Sequence, residues 1–185
     1  VYGIRKNRRV FLQHGIIHND NQFAHYENSK IGLCVCGAKT EYDFVRQTFG
    51  YPEGAVKYLG LARFDGLYDF HEEKIVLVMP TWRKSIADPA HFAKRLDSEK
   101  EFKNTEYYQH WHALLSDERL KATLPSTGFR LVFDPPPHMQ RFLDDFRVGC
   151  NEVEVCDWRS RDVQDLLRRA AVLITDYSSI AMDFA

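Results

Sequence analysis

The sequence predicts an α/β fold in which parallel strands form a sheet covered by helices on both faces. Two observations favour this class. Several segments, including KIGLCVCG, KIVLVMP and VLITD, are continuous apolar runs rather than alternating patterns, which is typical of strands buried on both faces. Amphipathic segments separate these runs, as they do where helices connect parallel strands.

The first part of the chain contains two predicted strands and one helix. Arg9 to Gln13 and Lys30 to Gly37 have the apolar character of strands. Residues 39–50 are predicted to form a helix, with Thr40 as the N-cap and Gly50 as the C-terminal stop. One face of this helix carries Tyr42, Val45 and Phe49. Residues 51–73 contain several glycine and proline signals and are interpreted as an irregular crossover.

The second part begins with the clearest strand, Lys74 to Pro80. A helix is predicted later because Tyr107, Trp111, Leu114 and Leu115 share one face. The segment GFRLVFDPPPHM is predicted to be a strand that ends at three prolines, and EVEVCDW another strand. SRDVQDLLRRAA is predicted to be a helix with acids early and arginines late, and its apolar register comprises Val163, Leu166, Leu167 and Ala170. VLITD is the final strand.

Two domains are expected from this order of elements. Residues 1–63 are interpreted as the end of one domain and its crossover, and residues 64–185 as a Rossmann-like domain. Because the first residue is Val1 and the last helical pattern is short, we expect the sequence to be a piece of a longer protein, truncated at both ends.

The composition restricts the function classes. The 185 residues are 44% hydrophobic and 14% aromatic, which is ordinary for a globular core and argues against disorder. The net charge of −1 gives no overall reason to expect binding to nucleic acid, and no apolar run approaches the roughly 18 residues of a membrane span. The basic run with Arg5, Lys6, Arg8 and Arg9 is interpreted either as a solvated strand entrance or as a membrane contact.

Several common site patterns are absent from the sequence. The four cysteines lack the paired spacing of a zinc site and are expected to be free thiols in a reducing cytoplasm: Cys34, Cys36, Cys150 and Cys156. The sequence contains no G-x-x-x-x-G-K, G-x-G-x-x-G or G-x-S-x-G motif. We therefore predict neither a metal centre nor a cofactor.

Chemically active residues follow the predicted strands, at the edge where open parallel sheets bind ligands. They are His14, Thr81, Arg83, Lys84, His138, Thr175, Asp176, Ser178 and Ser179. A helix that begins at Ser178 or Ser179 would offer N–H groups to a phosphate, although simple N-capping by Asp176 or Ser178 explains the same pattern. His14 beside Gly15 is compatible with a general base or with a structural histidine. Arg83 and Lys84 would meet anions or face solvent.

Four motifs in order resemble the bacterial CDP-glycerol glycerophosphotransferases of teichoic-acid synthesis. They are QHG at Gln13 to Gly15, GLARFDGL from Gly60 to Leu67, MPTWR from Met79 to Arg83 and LITDYSSIAMDF from Leu173 to Phe184. The chain departs from the family pattern before His138, where family members often carry a lysine and this sequence has Pro136 and Pro137.

The resemblance implies a GT-B architecture and transfer of glycerol phosphate from CDP-glycerol, the donor substrate, to a polymer hydroxyl with release of CMP. It implies that His14 and His138 are catalytic and that Thr81, Arg83, Thr175, Asp176, Ser178 and Ser179 bind the donor phosphates. Arg63 and Lys84 are further candidates for contact with phosphate or acceptor.

The implied partners are the nucleotide-activated donor and a lipid-linked polymer acceptor. The expected location is the cytoplasm, with peripheral contact at the inner face of the cell membrane. Two alternatives stay open: a GT-B glycosyltransferase that uses a CMP- or UDP-linked sugar, and a nucleotide-binding fragment without catalytic activity.

Overall fold

The computed structural model of the chain describes residues 8–83, residue 86 and residues 99–185, with the backbone alone at residues 99, 100 and 138. The chain forms two compact units, and we describe each by itself. The first unit ends at Tyr68 and the second begins at Asp69. The sequence had placed this boundary after residue 63.

The first unit contains a parallel sheet of three strands in the order β1-β2-β3. Its strands are β1 (Val10–Phe11), β2 (Leu33–Cys36) and β3 (Val56–Tyr58). Its helices are α1 (Tyr26–Ser29) and α2 (Lys39–Thr48), with 3-10 segments at Gln22–Ala24 and Ala62–Leu67. Val45 and Phe49 are buried against Cys34, Cys36 and Val56, and Tyr42 packs at the edge of this core, as the predicted helix face requires.

Three details of the first unit differ from the sequence predictions. Helix α2 begins at Lys39 with Ala38 as its N-cap, so the prediction of Thr40 as N-cap is wrong. Strand β1 stops at Phe11 rather than Gln13, because Gln13 has a φ of +64° and turns the chain out of the sheet. Strand β3 was not predicted, since only Val56 of its three residues is buried and no apolar run marks it. The predicted stop at Gly50 is confirmed by its φ of +68°.

The second unit contains a parallel sheet of four strands in the order β6-β5-β4-β7. The strands are β4 (Glu73–Met79), β5 (Arg130–Phe133), β6 (Val153–Val155) and β7 (Ala170–Thr175). The helices are α3 (Glu99–Lys103), α4 (Glu106–Ser116), α5 (Glu118–Thr127), α6 (Val163–Arg169) and α7 (Ile180–Phe184). A 3-10 segment spans Pro137–Phe146.

This strand order confirms the predicted Rossmann-like sheet. Counted from β4, the order is 3-2-1-4, so the direction of winding reverses between β4 and β7. Ligands of open α/β sheets bind outside the carboxyl ends of the strands at such a reversal, the topological switch point. The structure therefore directs attention to the residues that follow Met79 and Thr175.

Aromatic packing holds the helices of the second unit on the sheet. Phe102 and Phe142 stack with ring centroids 3.9 Å apart, and Phe133 and Phe146 approach to 4.8 Å. The predicted face of α4 is confirmed, with Tyr107 and Leu115 buried and Trp111 and Leu114 packed against the same core. Helix α5 and the 3-10 segment were not predicted. Pro125 lies inside α5, where proline signals normally indicate the end of a helix.

The described part of the chain includes no helix that is both long and apolar enough to cross a membrane. All four cysteines are free thiols in the structure, and Cys150 is the one that is not buried.

Candidate functional site

Four predicted site residues meet where β4 and β7 end, and we call Thr81, Arg83, Thr175 and Asp176 the switch-point cluster. Met79 and Thr175 are partners in the parallel ladder, so the loops after the two strands leave the sheet side by side. The Thr175 hydroxyl donates to the Met79 carbonyl oxygen at 2.7 Å and ties the strand ends together. The pairing of Met79 with Thr175 thus brings the four residues of the cluster together.

Asp176 organises this cluster. Its Oδ1 accepts hydrogen bonds from the backbone N–H groups of Thr81 at 2.9 Å and Tyr177 at 2.7 Å. Its Oδ2 accepts from Arg83 Nη2 at 2.6 Å. Burial raises the pKa of Asp176, but the neighbouring Thr81 and Arg83 outweigh burial and hold the pKa below its ordinary value. Asp176 is therefore a charged carboxylate at neutral pH.

Arg83 is held in place but still reaches solvent. Besides its ion pair with Asp176, it donates from Nη1 to the Thr81 carbonyl oxygen at 2.9 Å. Its guanidinium lies 4.8 Å from the centre of the Tyr177 ring, and 32% of its side chain is exposed. An oriented and partly exposed guanidinium is a suitable partner for a phosphate oxygen.

The residues after Asp176 lead into helix α7. The helix begins at Ile180, with Ser179 at the N-cap position but without a side-chain capping bond. The Ser178 hydroxyl accepts from the Ile180 N–H at 3.3 Å. Asp176 does not cap this helix, because its oxygens bind Thr81, Tyr177 and Arg83, so that capping interpretation is wrong. The N–H groups of Ser178 and Ser179 have no hydrogen-bond partner among the described residues.

A cavity of about 620 Å³ opens beside the switch-point cluster within the second unit. Arg83, Asp176 and Tyr177 form one wall, and the start of α4 forms another. The lining residues contributed by α4 and its N-cap are Thr105, Glu106, Tyr107, His110 and Trp111. The sequence indicated Tyr107 and Trp111 only as core residues, and no motif identified α4 as part of a site.

A buried ion pair, which no sequence motif indicated, lies at the carboxyl end of β5. Asp134 follows β5 and is 2% exposed, and it pairs with Arg161, which precedes α6. Burial lowers the pKa of Arg161 to about 10. Breaking such a pair would leave one buried charge without its partner, which is costly. The ion pair therefore holds the loop before α6 against the end of β5.

His14 belongs to the first unit and follows β1 in an exposed loop. Its ring approaches Phe11 edge-on with centroids 6.2 Å apart. The sequence placed the permissive backbone position at Gly15, whereas the residue with positive φ in this loop is Gln13. We call residues 13–17 the His14 loop.

Glu41 holds the His14 loop, and no sequence motif identified this glutamate. The side chain is 2% exposed, and its Oε1 accepts from the Ile17 N–H at 2.7 Å and from Gln13 Nε2 at 3.2 Å. Its Oε2 accepts from the Gly37 N–H at 2.7 Å and from the Ala38 N–H at 3.4 Å. Glu41 occupies the third position of α2, where acidic residues bind free N–H groups, and this position was the signal available in the sequence.

Three predicted site residues remain, Arg63, His138 and Lys84. Arg63 lies in the first unit, in the Ala62–Leu67 segment, with its guanidinium 5.6 Å from the centre of the Phe64 ring. The backbone of His138 lies in the 3-10 segment after β5, and its side chain is outside the described structure. Lys84 lies outside the described residues.

Comparisons with known proteins show the family and the fold of the chain. The profile of the CDP-Glycerol:Poly(glycerophosphate) glycerophosphotransferase family matches residues 17–185. The minor teichoic acid biosynthesis protein GgaB of Bacillus subtilis (strain 168) is 36% identical over 179 residues, which are 95% of this chain and 20% of GgaB.

Solved structures of the wall teichoic acid polymerase TagF share the fold. One TagF structure superposes with a TM-score of 0.54 and 15% identity, over 96% of this chain and 44% of TagF. A TagF variant soaked with CDPG gives 0.53 and 18%, over 84% of this chain and 37% of TagF. The chain thus spans about a fifth of the length of GgaB and less than half of TagF, and its fold is GT-B-like, as the motif resemblance implied.

Proposed function

Because this chain belongs to the CDP-glycerol:poly(glycerophosphate) glycerophosphotransferase family, we propose that it transfers glycerol phosphate from CDP-glycerol to a polymer hydroxyl and releases CMP. The acceptor in this proposal is a teichoic-acid-like or capsular polymer, in keeping with the role named for GgaB. The observation that carries the proposal is the switch-point cluster, where Asp176 orients a partly exposed Arg83 at the carboxyl ends of β4 and β7.

The switch-point cluster suits the diphosphate of a nucleotide donor. Arg83 supplies a guanidinium that Asp176 and the Thr81 carbonyl orient in advance. The N–H groups of Ser178 and Ser179 have no partner among the described residues, and both residues closely follow Asp176, to which Arg83 is paired. Phosphoryl transfer depends mainly on positioning and on neutralising charge, and these groups supply both.

The proposed reaction uses one proton transfer and one displacement. His14 takes the proton from the acceptor hydroxyl, and the hydroxyl oxygen attacks the phosphorus that carries glycerol. The bond from that phosphorus to the bridging oxygen breaks, and CMP leaves with the electron pair of that bond. Arg83 and the N–H groups of Ser178 and Ser179 stabilise the charge that develops on the leaving phosphate. His138 is proposed as the second catalytic histidine on the motif resemblance alone.

The acceptor and the place of work are part of the same proposal. We infer a lipid-linked acceptor polymer at the cytoplasmic face of the membrane, with peripheral attachment helped by the basic run that includes Arg8 and Arg9. Arg9 already donates to the Ser29 carbonyl oxygen at 2.8 Å, so Arg8 is the freer of these two for lipid headgroups. No metal or cofactor enters the proposed mechanism, and CDP-glycerol is its only nucleotide substrate.

Isothermal titration with CDP-glycerol, CMP and UDP-linked sugars tests the donor. We expect CDP-glycerol to bind most tightly, and Arg83→Gln to weaken its binding at least tenfold, because a charge-assisted hydrogen bond is lost. The matched control is Arg119→Gln on the exposed face of α5, which should bind like wild type. Tighter binding of a UDP-sugar would overturn the proposal in favour of a sugar transferase.

Release of CMP in the presence of acceptor tests the transfer step. We expect turnover that persists with a chelator present, because the proposed mechanism contains no metal. Binding of CDP-glycerol without any release of CMP would identify a nucleotide-binding module instead of an enzyme.

A further inference from the structure

Tyr107 is a buried residue of the cavity whose hydroxyl has no described partner. The side chain is 7% exposed, and its oxygen makes no hydrogen bond in the part of the chain that the structure describes. The adjacent Tyr108 is different, since its hydroxyl donates to the Asp145 carbonyl oxygen at 3.2 Å. Buried hydroxyls are normally paired, because an unpaired one loses its hydrogen bonds to water without replacement.

The Tyr107 side chain lies beside the Arg83–Asp176 ion pair of the switch-point cluster. The Arg83 guanidinium lies 5.7 Å from the centre of the Tyr107 ring. Burial, and then the charge of Asp176, raise the pKa of Tyr107, so the phenol keeps its proton and remains a hydrogen-bond donor at physiological pH. The Thr81 hydroxyl is also buried without a hydrogen bond of good geometry, although it is close enough to lower the pKa of Asp176.

Two other residues that line the cavity are partly exposed. Tyr177 is 77% exposed and stacks on Arg83, which is itself partly exposed. A diphosphate carries more negative charge than the Asp176 carboxylate and can compete for the guanidinium. For a ligand to reach the buried Tyr107 hydroxyl, Arg83 would turn from Asp176 toward the diphosphate.

We propose that the Tyr107 hydroxyl donates a hydrogen bond to a phosphate oxygen of the nucleotide donor bound in this cavity. The inference rests on the proposed function and extends the donor site from the switch-point cluster to helix α4. Tyr107 is a binding residue in this account, which gives a role to a buried hydroxyl without a partner among the described residues.

Two matched variants test this inference, Tyr107→Phe and Tyr108→Phe, each of which removes one hydroxyl and keeps the ring. We expect Tyr107→Phe to bind CDP-glycerol about tenfold more weakly in isothermal titration, as loss of a hydrogen bond to a charged group predicts. Its urea midpoint should equal or exceed that of wild type, because the hydroxyl loses no hydrogen bond within the described part of the chain. Tyr108→Phe should show the reverse, with a lower midpoint and unchanged affinity, because its hydroxyl has a structural partner.

The outcomes separate this inference from the proposed function. Wild-type affinity in Tyr107→Phe would overturn the role of Tyr107 and leave the proposed function standing. A lowered urea midpoint in Tyr107→Phe would show that the hydroxyl is paired within the fold, which also overturns the inference. Failure of the wild-type protein to bind CDP-glycerol would overturn both.

Discussion

Each unit contains a carboxylate that collects hydrogen bonds from loops following parallel strands. Glu41 in the first unit binds the His14 loop and the start of α2, and Asp176 in the second unit binds the loop after β4. The described partners of Glu41 are neutral, three backbone N–H groups and one side-chain amide. Asp176 instead forms an ion pair with Arg83, which is partly exposed.

The difference between the two carboxylates indicates a difference in role. Glu41 is buried and accepts hydrogen bonds from Gln13 and Ile17, so it fixes the loop that carries His14. Asp176 holds a partly exposed cation for which, in the proposed mechanism, a donor phosphate competes. In the proposed mechanism, Glu41 therefore positions the base His14, and Asp176 orients Arg83 for the donor phosphates.

The largest expected effect is the loss of CMP release when His14, whose loop Glu41 holds, is replaced. His14→Asn should lower the rate of CMP release by about 10² to 10⁴, the usual contribution of a general base, with CDP-glycerol affinity unchanged. The control is His18→Asn, an exposed histidine just beyond the His14 loop, which should keep wild-type turnover. Equal rates for His14→Asn and His18→Asn in steady-state kinetics would remove the base from the mechanism.

Glu41→Ala should have the next largest effect, on stability. It removes the acceptor of three backbone N–H groups, and we expect a loss of about 3 kcal/mol in the free energy of unfolding. Glu53→Ala, at an exposed glutamate of the same unit, should change the unfolding free energy by less than about 0.5 kcal/mol. Urea denaturation followed by circular dichroism measures both, and similar losses would contradict the assigned role of Glu41.

Asp176→Asn should have a smaller effect that depends on pH. Because the folded protein holds the pKa of Asp176 below its unfolded value, the carboxylate stabilises the fold above about pH 4. This contribution, about 1 kcal/mol after allowance for partial exposure, is lost as pH falls through the lowered pKa. The difference in unfolding free energy between wild type and Asp176→Asn should therefore shrink in acid.

The control for this pH dependence is Glu72→Gln, at an exposed residue of the second unit. Urea midpoints at neutral pH and near pH 3 should show no comparable change for this variant. A difference between wild type and Asp176→Asn that stays constant over this range would mean that the charge of Asp176 does not stabilise the fold.

The sequence predicted the second sheet better than the first because its strands are longer apolar runs. Strands β4, β5 and β7 were expected from their apolar runs, and the parallel arrangement then places Thr81 and Asp176 together. Strand β3 has too little buried surface to produce such a pattern. The boundary at Tyr68 falls in a segment without regular hydrophobic periodicity, which is why local patterns placed it earlier.

The candidate site was predicted as a set of residues but not as a network. The motifs indicated Arg83 and Asp176 separately, while their ion pair depends on the register of β4 and β7. The sequence also gave no reason to separate Tyr107 from the core residues of α4, because an unpaired hydroxyl is visible only when its neighbours are placed. Local sequence patterns do not show which strands pair or which distant side chains come into contact.

The central claim is that the switch-point cluster binds the diphosphate of the donor, and a crystal structure with CDP-glycerol tests it most directly. The account predicts phosphate oxygens within hydrogen-bond distance of Arg83 and of the N–H groups of Ser178 and Ser179, beside Asp176. A well-ordered CDP-glycerol whose phosphates contact none of these groups would contradict it.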